Sequence, residues 1–178
     1  YIPTLSGSRT LTTNYAIPVA SLRVLGIMTN TPAVDAYRGA GRPEANYVME
    51  RLMDHIAEHV GIDRAEVRRR NLIRADQIPF TMVCGGTVDG GEMPELMEAA
   101  LSRADMAGFA ARRAESERKG RLRGFGLGMY LEQCGGGTDG GVDVRFREDG
   151  TILVLAAQQE NGQGHRTTLT QILSDRLG

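Results

Sequence analysis

Cysteine is scarce in this sequence: Cys84 and Cys134 are the only two in 178 residues. They stand far apart and neither belongs to a C-x-x-C pair, so neither a zinc site nor a disulfide framework is supported. A reducing compartment is the simpler setting, with both thiols serving as packing material. A dominant charge sign is lacking too. Lys and Arg number 21, Asp and Glu 22, for a formal net charge of −1. No global pull toward nucleic acid or an anionic membrane follows from that balance. No apolar run is long enough to span a bilayer, and no leader pattern opens the chain. The expectation is a cytoplasmic protein with no nucleic-acid and no membrane partner. Internal repeats and low-complexity tracts are missing as well. The chain opens on Tyr1 and stops just after an apparent helix, which suggests a piece cut from something longer.

What remains is the composition of a globular protein, 41% hydrophobic and 24% charged. Its length suits one ordinary domain or two small ones. Residues 15–29 carry Ile17, Val19, Val24 and Ile27 and predict one or two strands. Pro43 then sits where a first helical residue would go. Val48, Met49, Leu52, Met53, Ile56, Ala57 and Val60 recur at helical spacing, with Asn46, Glu50, Asp54 and Glu58 on the opposite face. Gly61 ends this helix, and Asp63 caps a second one running to about Leu72. Residues 80–91 predict a loose hairpin, Pro94 opens a third helix, and residues 106–119 form a charged surface helix. The basic runs at 68–70 and 112–123 read as solvated helix faces.

After Gly120 the character changes. Residues 122–133 read as a strand spaced with glycines, and Gly135-Gly136-Gly137 breaks it. Val142, Val144 and Phe146 alternate with polar residues, as do Ile152 and Val154 after the Asp149-Gly150 turn, the strongest hairpin signal in the chain. A last helix places Leu169, Ile172, Leu173 and Leu177 on one stripe.

Two loops share a design of glycine-bearing turn followed by a helix start: residues 36–42 and residues 160–165. Free N–H groups and the dipole at a helix start favour anions, and glycine lets a ligand approach the backbone. Arg38 and Arg42 suit a phosphate or carboxylate, and Gln163 offers a donor and an acceptor to a heterocycle edge. Neither loop is a phosphate-binding P-loop, and neither holds a full G-x-G-x-x-G. Gly124, Gly126 and Gly128 fit close backbone packing better. His55 and His59 stand four apart, but no third ligand is evident and H-E-x-x-H is not formed, so no metal site is assigned. Asp35 and Glu160 lack the partner spacing of an acid–base pair, and Ser6 and Ser8 lack a nucleophile elbow.

Several segments taken in order resemble the large subunits of molybdenum hydroxylases, the xanthine dehydrogenase, aldehyde oxidase and carbon monoxide dehydrogenase family. Thr29-Asn30-Thr31 followed by Ala36-Tyr37-Arg38-Gly39-Ala40-Gly41-Arg42-Pro43-Glu44 resembles the loop beside the metal. Glu50-Arg51-Leu52-Met53-Asp54 and Glu66-Val67-Arg68-Arg69-Arg70-Asn71-Leu72-Ile73 look like the two helices that follow it. Asp149-Gly150-Thr151 and Gly162-Gln163-Gly164-His165 look like the hairpin and turn of a second cofactor segment.

The resemblance implies a molybdenum-pterin cofactor, carrying a cytosine nucleotide in bacterial relatives, and oxidative hydroxylation of a small-molecule substrate with water as the oxygen source. It implies iron–sulfur clusters and FAD on partner subunits of a hetero-oligomer. Tyr37, Arg38 and Gly39 match the loop beside the metal, with Arg38 on the oxo and substrate side. Gly162, Gln163 and Gly164 match the turn that meets the pterin, and His165 lies toward the phosphate end. Carbon monoxide dehydrogenases place a cysteine for copper directly after the arginine; here that residue is Gly39. An aldehyde or N-heterocycle is therefore the expected substrate. His165-Arg166 departs from relatives with an acidic residue after the histidine. The family's first glycine-rich cofactor loop and its catalytic glutamate match nothing in this sequence, so the piece by itself is expected to be inactive. The expected fold is α+β in two lobes, helices packed on short mixed or antiparallel sheets. Residues 1–119 would end a first cofactor domain and residues 120–178 begin a second. The rival readings are a cofactor-free scaffold and a nucleotide-binding module.

Overall fold

Gly41 and Gly61, both in the left-handed conformation, bracket α2 (Arg42–Val60). The structure, a computed structural model, describes residues 2–133 and 140–178. Cys134 and the glycine break at 135–137 lie outside them. Pro43 stands in the first turn of α2, and the Gly61 N–H returns to the Ala57 carbonyl, as the sequence led one to expect. Asp63 caps α3 (Arg64–Asn71), its carboxylate accepting from the Ala65 and Glu66 N–H groups.

The polar face expected of α2 is corrected. Asn46 and Asp54 are buried, and Glu50 half-buried. Asn46 pairs with the Leu131 backbone, while the cause for Glu50 and Asp54 is Arg68 of α3, expected in a solvated basic run but 0% exposed. Its guanidinium donates to Glu50 Oε2 at 2.8 Å, to Asp54 Oδ1 at 3.0 Å, and to the carbonyls of Arg64, Glu50 and Leu127. The second Glu50 oxygen accepts from Tyr15 Oη at 2.5 Å. A charge survives burial when it is paired and its remaining protons are bonded. Arg69 and Arg70 stay at the surface on Glu66 and Glu98. Of the expected apolar stripe, Met49, Met53 and Ala57 enter the core with Tyr15, Val67, Leu72, Ile73 and four further methionines. Val48, Leu52, Ile56 and Val60 are exposed.

Two expected strands are also corrected. Residues 15–29 form only an isolated antiparallel bridge, Tyr15 to Leu72. Beyond it Val19, Val24, Ile27 and Met28 are exposed. A strand needs an edge to pair with, and β-branched residues alone do not supply one. Residues 122–133 are likewise extended without a ladder, held instead by side chains of α2 and α3. Before α2 lies α1 (Ile2–Arg9), which no periodicity announced and which buries no residue. After α3 come the short strands β1 (Phe80–Thr81) and β2 (Thr87–Val88), antiparallel as expected. Helices α4 (Met93–Arg103) and α5 (Phe109–Arg118) follow.

The chain divides into two compact units, Tyr1–Glu132 and Gln133–Gly178. In the second, β3 (Val142–Phe146) pairs antiparallel with β4 (Ile152–Ala156), Val144 opposite Val154. Gly150 turns the hairpin at φ 81°, and the Asp149 carboxylate accepts from the Thr151 N–H and hydroxyl. Helix α6 (His165–Leu177) half-buries only His165, Leu169 and Leu173. None of the described residues of this unit is fully buried. The fold is α+β with short antiparallel sheets, as expected. Among the described residues no helix is long and apolar enough to cross a membrane.

Candidate functional site: two glycine turns

The first turn is tight because three residues in a row, Gly39, Ala40 and Gly41, are left-handed, at φ 91°, 40° and 95°. The Ala40 N–H reaches the Tyr37 carbonyl at 2.6 Å, and the Arg42 N–H reaches that of Gly39 at 3.1 Å. Glycine is required behind this turn. A Cβ on Gly41 would stand 1.8 Å from the Pro3 carbonyl oxygen of α1, and one on Gly39 2.7 Å from the Pro43 ring. The front of the turn is open: Tyr37 is 86% exposed and Arg38 is exposed beside it. Among the described residues neither side chain has a hydrogen-bond partner. Among the described residues Asp35 accepts only from the adjacent Ala36 N–H.

Behind the turn the α2 end meets residues 130–132. Asn46 holds the Leu131 backbone by both ends of its amide, and Arg42 contacts the Glu132 carboxylate. Tyr130 Oη donates to the other Glu132 oxygen at 2.9 Å. Sequence reasoning missed Asn46, Tyr130 and Glu132 as a group. The only available signal was the polar residue Asn46 one turn into the helix.

The second turn carries Gly162 at φ 87° and Gly164 at φ 80°. Nothing lies within 4 Å of where a Gly164 Cβ would be, so the backbone there faces open space. Gln163 is bonded inside its own loop. Its Oε1 accepts from the Asn161 N–H at 2.6 Å, and its Nε2 donates to the Gln159 carbonyl at 2.8 Å and lies 3.3 Å from His165 Nδ1. The α6 N-terminus is already served by an anion. Glu160 accepts from the Gly164 N–H at 3.1 Å and the Arg166 N–H at 3.4 Å. Partial desolvation opposes its ionisation, but the N–H groups of Gly164, Arg166 and His165 outweigh it and hold the carboxyl below its usual range. Glu160 therefore stays an anion and a cap. His55 lies 3.8 Å from Glu58. No group of three or more metal-ligating side chains occurs among the described residues.

The Tyr37, Arg38 and Gly39 turn belongs to the first unit, and Gly162, Gln163, Gly164 and His165 to the second. Each presents left-handed glycines with hydrogen-bonding side chains at a helix start. That combination suits a heteroatom-rich ligand, with the α6 amides at the second turn already taken by Glu160.

Two family models, both described as molybdopterin cofactor-binding domain, match the chain over residues 2–72 and 99–178. The first match contains the Tyr37 turn and the second the Gln163 turn. The chain belongs to the molybdopterin cofactor-binding domain family of the molybdenum hydroxylases. It is 30% identical over 176 residues to the nicotine 6-hydroxylase large subunit of Paenarthrobacter nicotinovorans, covering 92% of this chain and 21% of that one. It is 33% identical over 182 residues to the carbon monoxide dehydrogenase large chain of Hydrogenophaga pseudoflava, covering 93% and 22%. The crystal structure of quinoline 2-oxidoreductase from Pseudomonas putida 86 superposes with a TM-score of 0.84 at 29% identity, over 99% of this chain and 24% of that one. The chain thus spans about a fifth of the length of the curated relatives it matches.

Proposed function

We propose that this chain is the cofactor-holding part of the substrate-oxidising large subunit of a molybdenum hydroxylase. The observation that carries the proposal is the placement of each glycine turn inside its own cofactor-binding match. The donor set fits a molybdenum-pterin cofactor: an exposed arginine, open glycine backbone, and an amide side chain that shapes the second turn from within. Tyr37, Arg38 and Gly39 in the first unit, and Gly162, Gln163, Gly164 and His165 in the second, are the residues we assign to it. A cytosine dinucleotide form is supported by resemblance to bacterial relatives. Residues 1–119 and 120–178 are proposed as the end of one cofactor domain and the start of the next.

The cofactor, when bound, supplies the two-electron acceptor and the site at which water-derived oxygen is transferred. Overall a substrate C–H becomes C–OH, with water consumed and two protons and two electrons released. By resemblance, iron–sulfur clusters and FAD on partner subunits of a cytoplasmic hetero-oligomer would take up those electrons. The protein's share is positioning. Arg38 offers a fixed charge and forked donors to the substrate side, and Gln163 holds the turn at the pterin. Aldehydes or N-heterocycles are the proposed substrates. The residue after Arg38 is Gly39, without a thiol for a second metal, and a Cβ there would press on Pro43. The test is oxygen-18 water supplied to the complete protein with an aldehyde or N-heterocycle. Label in the hydroxylated product supports the reading; unlabelled product, or none from protein carrying molybdenum, rejects it.

A further inference from the structure

Residues of the first family match are tied to residues of the second by side chains that neither glycine turn explains. Asn46, 3% exposed, pairs with the Leu131 backbone in both directions. Its Nδ2 donates to the Leu131 carbonyl at 3.2 Å, and its Oδ1 accepts the Leu131 N–H at 3.1 Å. The same Nδ2 donates to the Arg42 carbonyl at 2.8 Å. Next to this pair, the Arg42 guanidinium contacts Glu132 Oε1. Glu132 Oε2 accepts from Tyr130 Oη. That hydroxyl lies 3.4 Å from where a Gly39 Cβ would be, so it stands over the turn. One carboxylate thus gathers the residue that ends the turn and the phenol that covers its glycine. Partial burial, and then Glu132, push the Tyr130 phenol up, which keeps it a donor.

We propose that Glu132 is a positioning residue for the Tyr37-Arg38-Gly39 turn, acting through Arg42 and Tyr130. This rests on the function proposed above. Tyr37 and Arg38 are exposed and have no hydrogen-bond partners among the described residues, so the direction in which they project depends on what holds the turn from behind. Arg42 and Glu132 retain 18% and 37% side-chain exposure. The Arg42 Nε is itself buried, but a glutamine at 132 still offers it an oxygen, so the carboxylate charge can be removed without stranding the guanidinium. The Asn46 pair keeps the two segments together without them. Removing the carboxylate should therefore loosen the turn and leave the fold intact.

The experiment compares the complete protein with its Glu132→Gln and Glu132→Asp variants. In Glu132→Gln, molybdenum content and melting temperature stay at the original values. Amide hydrogen exchange at residues 37–42 rises about fivefold while that at 48–60 is unchanged, and kcat/KM falls about tenfold, as misplacement of a catalytic group does. Glu132→Asp recovers part of both changes. Unchanged exchange at 37–42, unchanged kcat/KM, or a kcat/KM loss matched by equal loss of molybdenum or melting temperature overturns the proposal. The exchange comparison is also made on cofactor-free protein. If the complete protein carries no molybdenum, the proposed function fails while the exchange result still decides on Glu132.

Discussion

Both ends of the Gln163 side chain are bonded inside its own loop, to the Asn161 N–H and the Gln159 carbonyl. It therefore shapes the turn before any ligand arrives, and a ligand contact would add to that role. Gln163→Ala in the complete protein should lower molybdenum retained through dialysis about tenfold, the scale of one or two lost hydrogen bonds. Unchanged molybdenum and turnover would remove Gln163 from the site. Arg38 differs, because no group in the described chain holds it. Arg38→Ala should reduce turnover more than molybdenum content, and wild-type kinetics would exclude it. Gly39, Gly41, Gly162 and Gly164 were legible in the sequence because left-handed turns at helix starts demand glycine. Glu160 was not. Its capture of the α6 amides depends on a loop folding back four to six residues, which spacing alone does not specify.

Among the elements, α2 and α3 show where periodicity misleads. A run of three arginines and a polar stripe on the neighbouring helix both read as solvent-facing. Each becomes inward-facing once Arg68 meets Glu50 and Asp54. Pairing of opposite charges across two helices is a tertiary event, invisible to a pattern within either one. Burial opposes the Arg68 charge, but Glu50, Tyr15 and Asp54 outweigh it. Arg68→Ala would strand two carboxylates in the interior and should cost about 3–5 kcal/mol in urea denaturation. Arg70→Ala, at the exposed end of the same run, should stay within about 0.5 kcal/mol. Equal effects would mean the network contributes nothing. Tyr15 provides a pH test. Burial first, then its hydrogen bond to Glu50, push its phenol well above the ordinary value. The neutral form is favoured by folding, so the stability it confers is complete below pH about 10 and is lost as pH rises toward the folded value. A Tyr15→Phe variant should lose less stability than the parent on going above pH about 10. Identical alkaline losses would contradict the assignment.

For the whole molecule, the α+β class and the order of helices and hairpins were legible from caps, glycines and the Asp149-Gly150 turn. The extended segments at 15–29 and 122–133 were not. Whether such a segment becomes a strand depends on which edge lies beside it, and the described residues offer it none. The second unit illustrates the same dependence. Its hairpin and helix leave Val142, Phe146, Ile172 and Leu177 exposed and bury no residue fully. Two strands without a packed face are marginal in water. A peptide of residues 133–178 should melt without a cooperative transition, whereas residues 1–132, which hold the methionine-rich core, should melt cooperatively. A sharp transition in the shorter piece would show that burial is a poor guide here.

The most direct measurement is metal and nucleotide analysis of the complete matured protein. About one molybdenum per polypeptide, with a pterin and a cytosine nucleotide released on denaturation, is the expected result. Protein matured in a host that supplies the cofactor, folded and yet free of molybdenum and pterin, would contradict the account at its centre.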